Sequence, residues 1–354
     1  MKFRGKFDKI ASNLLPAYFA MVMATGIVAI AAAIYQILWF AKFLFYFNIV
    51  AYIVLWLISI YRIMYHFDRY RADIQNHLRA PGFFTIIAGT NTLGADFLII
   101  ANNRTIAYIL WIFGIILWLI YQYAVFTSLM LSVQKQPLNK AINGGWLVAV
   151  VSTESVALLA AQLASMDQRL LLIALIMYFI GYFTYLMIMP LVNYRLFFFD
   201  VQPKELTGPY WINMGATAIT TLAGSLILIG SQSDQLIRIY PIFSSLRPFI
   251  EGATFLIWAY GSWWIPLLFV MGCWKHFVKR VSLKYDSQFW GAVFPMGMYT
   301  VATVRLASAL NLPQLKMISN IFIYVAIIGW LYQFGVFLSA FRTIFLSRKA
   351  NVEN

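Results

Sequence analysis

The sequence predicts an all-α integral membrane protein of ten transmembrane helices, and three observations carry that prediction. Hydrophobic residues make up 62% of the 354 residues and charged ones only 11%, which leaves too little polar surface to coat a soluble globule. The apolar residues gather into blocks of roughly 20 to 28, about what an α-helix needs to cross some 30 Å of hydrocarbon. The blocks lack the short alternation of barrel strands, and a backbone in lipid must satisfy its polar groups in helices or in a closed barrel.

The first block runs from Leu14 to Tyr35. It is too long for the apolar core of a cleaved signal and contains Pro16 and Gly26, so it is expected to remain in the mature protein. The blocks that follow run from Ala41 to Met64, Gly82 to Ala101, Ile106 to Ser132, Gly145 to Ala164 and Leu170 to Leu196. The last four run from Tyr210 to Gly230, Phe249 to Trp274, Phe289 to Leu310 and Leu315 to Phe341. One membrane domain over 14–343 is expected, with tails at 1–13 and 344–354. Odd blocks carry the glycines, threonines and serines, whereas even blocks are richer in Leu, Ile, Phe and Tyr. Small residues let helices approach closely and bulky apolar ones suit lipid, so the odd set is expected inside and the even set outside.

The net charge of +14 does not point to nucleic acid, because its distribution follows the helix connections. With ten helices, 19 Lys and Arg residues fall on the side of the N-terminal tail and the even-to-odd connections. Only Lys42, Arg104, Arg169, Arg238, Arg247 and Lys316 fall on the other. Basic residues collect in short cytoplasmic loops, which places both termini in the cytoplasm and the chain in the plasma or inner membrane. The basic excess reads mainly as topology and contact with anionic lipid.

Aligned on an aromatic residue near their cytoplasmic starts, the odd blocks share a register. Phe19, Phe84, Trp146 and Trp211 each precede a hydroxyl residue by six positions, namely Thr25, Thr90, Ser152 and Thr217, while Trp290 precedes Met296. The anchors follow one another at 65, 62, 65 and 79 residues, the length of one helical hairpin, so the chain reads as five repeated hairpins. Five equivalent inner helices have an axis, and an axis is a natural pore. Four positions after each anchor the ring would show Met23, Ala88, Val150, Gly215 and Phe294, mostly small side chains with one large exception.

The stretch Trp290-Gly291-Ala292-Val293-Phe294-Pro295-Met296-Gly297, running on to Ala302-Thr303, resembles the ninth helix of the tellurite-resistance/C4-dicarboxylate transporter family. Pro16-Ala17-Tyr18-Phe19-Ala20-Met21-Val22-Met23-Ala24-Thr25-Gly26 resembles that family's first-helix signature. The family includes TehA-like proteins, yeast malate and sulfite transporters and the plant slow anion channel. The resemblance implies a homotrimer, each protomer with its own pore formed by five hairpins and occluded by a phenylalanine that falls at Phe294. It also implies passive permeation of small anions, or carriage of dicarboxylates, sulfite or tellurite.

Phe294 precedes Pro295, and a proline removes a backbone donor and kinks a membrane helix, so the ring is either a pore gate or a core aromatic at a kink. Glu154 and Arg305, with Asp96, are full charges placed well inside odd blocks, where charge is costly and suggests function. Counted from the anchors, Glu154 and Arg305 project near the azimuth of Phe294. On one reading Arg305 attracts anions while Glu154 takes up and releases a proton; on the other they form a structural pair, or Glu154 bonds the hydroxyls around Ser152. Thr25, Thr90, Ser152 and Thr217 offer hydroxyl donors to a dehydrated anion or bond their own and neighbouring helices. Gly26, Gly89, Gly215 and Gly297 read first as packing contacts.

Two functions follow: an anion channel or uniporter, and a proton-coupled C4-dicarboxylate, sulfite or tellurite transporter using Glu154. An enzyme is not expected, since the inner blocks hold no Ser/His/Asp set and no HExxH. Neither metal nor cofactor is expected: Cys273 stands alone, and His66, His77 and His276 lack ligand spacing. The expected partners are small anions, the lipid bilayer and two further copies of the chain.

Overall fold

A computed structural model describes residues 2–282 and 287–346. Lys284, Arg348 and Lys349, counted above with the basic side, lie outside the described residues, as does the expected C-terminal tail from 347 onward. The described residues are helical almost throughout. The long helices are, in chain order, α1 (Ala20–Ile34), α2 (Leu38–Tyr65), α3 (Phe84–Ile99), α4 (Arg104–Met130) and α5 (Val148–Leu163). They continue as α6 (Arg169–Phe198), α7 (Ile212–Gly230), α8 (Ile242–Cys273), α9 (Trp290–Ala309) and α10 (Lys316–Leu346).

Among the described residues nine helices are long and apolar enough to cross a membrane, which makes this an all-α integral membrane protein. The exception is α9, which has the length, 20 residues, but not the hydropathy, because Trp290, Pro295, Tyr299 and Arg305 dilute it. Its burial explains the difference. Nearly all of α9 is covered by other helices, and a helix that meets protein on every side need not be as apolar as lipid.

Helix α1 packs on α3, α3 on α5, α5 on α7, α7 on α9, and α9 back on α1, which closes a ring. Helix α2 lies outside α1 and α3, α4 outside α3 and α5, α6 outside α5 and α7, α8 outside α7, and α10 outside α9 and α1. The outer helices carry exposed apolar residues such as Val50, Ile53, Leu57, Ile116, Ile120, Leu186, Leu256 and Ile328, the surface that lipid covers. Glycines set the spacing within the ring. At Gly26 an added Cβ would meet Asp96 Oδ2 at 2.7 Å and Thr92 Cγ2 at 2.7 Å on α3, and Asn48 Nδ2 at 2.8 Å on α2.

The boundaries shift by several residues from the sequence expectation, and two differences are the most marked. The eighth block was expected to start at Phe249, yet α8 begins at Ile242 and runs 32 residues through Pro248 and Pro266, ending in a π-helical turn at Trp274–Val278. Pro248 lies in its second turn, where its missing N–H costs one helical hydrogen bond. The N-terminal tail contains a helix, Lys2–Ser12, fastened to the end of α2 by Asp8, whose carboxylate lies 2.9 Å from His66 Nε2 and accepts the Tyr61 hydroxyl at 3.0 Å.

Candidate functional site

Each ring helix is entered through a tight 3-10 turn: Pro16–Phe19, Ala80–Phe83, Gly144–Leu147, Gly208–Trp211 and Ser287–Phe289. Pro16, Pro81 and Pro209 suit these first positions, where a backbone N–H has no helical acceptor. The turns crowd each other. A Cβ on Gly144 would run into the Pro209 carbonyl, and one on Gly208 into the Gln288 carbonyl.

The five turns surround a cavity of about 780 Å³ at one end of the ring. Its walls come from equivalent places: Ala17 and Ala20, Gly82 and Thr85, Gly145 and Val148, Pro209 and Ile212, Gln288 and Gly291. Five helix N-termini therefore converge on one space, and each brings the positive end of a macrodipole. Arg79, Lys140 and Arg195 line the same cavity, with Glu205 as its acidic member. Beside it, burial and the positive charge of Lys135 lower the pKa of His77, so at neutral pH that ring is uncharged.

Arg195 is almost fully buried. It donates to the Asn139 carbonyl (2.7 Å), the Asp200 carbonyl (3.0 Å) and Glu205 Oε2 (2.9 Å). Arg79 reaches Asp73 with Nε at 2.9 Å, while Arg62 holds the other oxygen of Asp73 at 2.6 Å. Arg79, Lys140 and Arg195, read from the sequence as topology, line one cavity. Nothing in their spacing separates them from the other loop cations, because Arg79 and Arg195 stand more than a hundred residues apart and meet only through the ring.

The wall residues also reset the sequence register. In four helices the paired positions lie two before and one after the anchors Phe19, Phe84, Trp211 and Trp290; in the third, Gly145 and Val148 make Leu147 the anchor. Trp146 stands one residue early, its indole bonded to the Ala141 carbonyl at 3.0 Å. The residue equivalent to Met23, Ala88, Gly215 and Phe294 is then Val151 rather than Val150, and Thr153 replaces Ser152. These positions lie three residues, about 4.5 Å, further along each helix than the cavity wall. Gly215 and Phe294 do meet: a Cβ at Gly215 would stand 3.1 Å from two phenyl carbons and 3.0 Å from Pro295 Cγ.

The hydroxyls turn the other way. Thr25 accepts Trp330 Nε1 from α10 at 3.0 Å, Thr90 bonds Tyr52 of α2 at 2.9 Å, and Thr153 accepts Trp118 Nε1 from α4 at 2.9 Å. Thr217 bonds its own helix at the Asn213 and Met214 carbonyls and lies against Gly261 of α8. Ser152 bonds the Ala149 carbonyl. Thr25, Thr90, Thr153 and Thr217 lie two positions, about 200° of helix, beyond Met23, Ala88, Val151 and Gly215, and the first three bond outer helices. Ser152 lies one position beyond Val151 and bonds its own helix.

Glu154 and Arg305 form no ion pair; their helices α5 and α9 are not ring neighbours. Arg305 is half-buried, and Glu154 is fully buried with neither carboxylate oxygen hydrogen-bonded. The hydroxyls around it are committed elsewhere: Ser152 and Thr153 to Ala149, Ser155 to Ser152, and Thr220 to Ala216. Glu154 faces Gly181 of the outer helix α6, so packing and not the helical projection sets it apart from Phe294. Asp96 accepts Asn48 Nδ2 at 2.9 Å and keeps one oxygen without a partner.

A family model described as SLAC1, voltage-dependent anion channel, matches residues 13–338. The chain belongs to the SLAC1 family. This family match covers all five ring helices and their outer partners. Two uncharacterized transporters of Methanocaldococcus jannaschii are 28% and 27% identical to the chain over 82% and 84% of its length, and 84% and 85% of theirs. An uncharacterized membrane protein of Mycobacterium tuberculosis is 40% identical over 156 residues, 44% of this chain and 76% of that protein. As a SLAC1-family protein, the chain is a membrane transporter or channel, and its basic cavity is the feature to set against small anions.

Proposed function

We propose that this chain lets small anions cross the membrane along the axis of the helix ring, with Phe294 as the barrier. The observation that carries the reading is the mouth, where five helix N-termini and the side chains of Arg79, Lys140 and Arg195 surround one cavity. On this reading all ten long helices span the bilayer as five hairpins within 14–343, and both termini are cytoplasmic. The mouth then opens to the cytoplasm of a plasma- or inner-membrane protein. An anion passes from the mouth to the layer of Met23, Ala88, Val151, Gly215 and Phe294, and Pro295 fixes where the phenyl ring lies. Arg305 sits toward the far end of α9, where its half-buried charge would favour an anion on the second half of the path. Three copies form a trimer, each with its own path.

Chloride and nitrate flux into proteoliposomes tests this. Phe294→Ala is expected to raise passive flux about tenfold or more, since one phenyl ring is a large part of a narrow constriction. Unchanged flux in correctly folded protein would falsify the gate.

A second reading is a proton-coupled carrier of C4-dicarboxylates, sulfite or tellurite, favoured by the buried carboxyl of Glu154, which has Thr220 beside it and no ion-pair partner among the described residues. It predicts malate uptake that requires an imposed proton gradient and is lost in Glu154→Gln. Malate uptake indifferent to the gradient would leave the passive path alone.

A further inference from the structure

We infer that Arg79 is the side chain that binds the anion in the mouth, and that Arg62 keeps its charge available by neutralising Asp73 from behind. The inference rests on the reading of this chain as an anion path. Three cations line the cavity, and they differ in what their charge already serves. The guanidinium of Arg195 is matched by Glu205, a member of the same wall, and its other donors are taken by two carbonyls. Lys140 is exposed, and an exposed ammonium is a strongly hydrated point charge on a long stem.

Arg79 differs from both. Its Nε lies 2.9 Å from Asp73 Oδ1, an ion-pair contact without an aligned hydrogen bond, while the side chain as a whole is 36% exposed and lines the cavity. Asp73 does not line the cavity; it is buried behind the wall, as is Arg62, whose Nη2 lies 2.6 Å from it. One carboxylate between two guanidinium groups leaves one net positive charge. With Arg62 and Asp73 both out of water, their mutual attraction is the strongest in the set, and the excess charge belongs to Arg79 at the water-facing end. Asp73 meets the guanidinium at Nε, which leaves the two terminal nitrogens of this cavity-lining residue for an oxyanion.

The consequence separates this from simple attraction by a basic patch. Arg62 never touches the cavity, yet removing its charge lets Asp73 cancel Arg79. The test is the concentration dependence of chloride and nitrate flux in proteoliposomes. Arg79→Gln is expected to raise the half-saturating concentration about tenfold, the scale of local enrichment by a charged cleft. Arg62→Gln is expected to do nearly the same, Arg62→Lys to leave it near wild type, and the Arg62→Gln/Asp73→Asn double variant to return it toward wild type. Arg169→Gln, an exposed cation away from the mouth, should change nothing.

Wild-type half-saturation in Arg79→Gln or in folded Arg62→Gln overturns the inference. So does a double variant as impaired as Arg62→Gln, because the pair would then act through packing alone. Line broadening of chloride NMR by solubilised protein reads the mouth without transport. If wild type carries neither anion, the transport reading fails, and the mouth inference stands or falls on whether Arg79→Gln abolishes that broadening.

Discussion

Phe294 lies over Gly215 because glycine leaves the space that a side chain would fill. A methyl at 215 would stand 3.1 Å from the phenyl ring and 3.0 Å from Pro295 Cγ, tighter than ordinary contact, so the ring must shift. Gly215→Ala is expected to change anion flux several-fold, by altering the barrier, and to have little further effect on Phe294→Ala. Equal effects in both backgrounds, measured as flux per folded protein, would place the phenyl ring off the path. Phe294 was legible in the sequence because a bulky ring before a proline stands out among small neighbours. Val151 was not legible. The indole of Trp146 marks the wrong residue by one, and one residue is 100° of helix, enough to move Ser152 out of the threonine register.

At the scale of the helix, composition identified the inner set correctly by its small residues, and the structure supplies the reason. Gly26 brings α1 against Asp96 and Thr92 of α3 and Asn48 of α2, so the polar pair Asn48–Asp96 is enclosed. Gly26→Ala is expected to destabilise the protein by about 1–3 kcal/mol, the usual cost of overpacking, read as a lower unfolding temperature in detergent. A wild-type midpoint would show that the helices separate without loss. The repeated threonines were visible as a register, but their role needed partners: Trp330, Tyr52 and Trp118 come from outer helices, and their hydrogen bonds fasten the outer layer to the ring. Hydropathy misjudges α9 for a related reason. It measures compatibility with lipid, and α9 meets almost none.

For the whole molecule, the exposed apolar belt of the outer helices must be covered by lipid or by further copies. The trimer proposed here predicts a detergent-corrected mass of three 40.6 kDa chains, measured by light scattering; a monomer at working concentration would remove that assignment. The sequence by itself determined that the chain is helical, lives in a membrane, separates small-residue helices from bulky ones, and carries a phenylalanine–proline pair of unusual placement. Each of these is a property of one segment, and hydrophobic periodicity reports segments well. Only the tertiary structure decided that Arg79, Lys140 and Arg195 share one cavity, that the threonines face outward, and that Glu154 faces the outer helix α6. Those facts depend on ring closure, which sets Ala17 and Gln288, from opposite ends of the chain, around the same cavity. They also depend on the azimuth of each helix, which packing against its neighbours fixes and no single segment encodes.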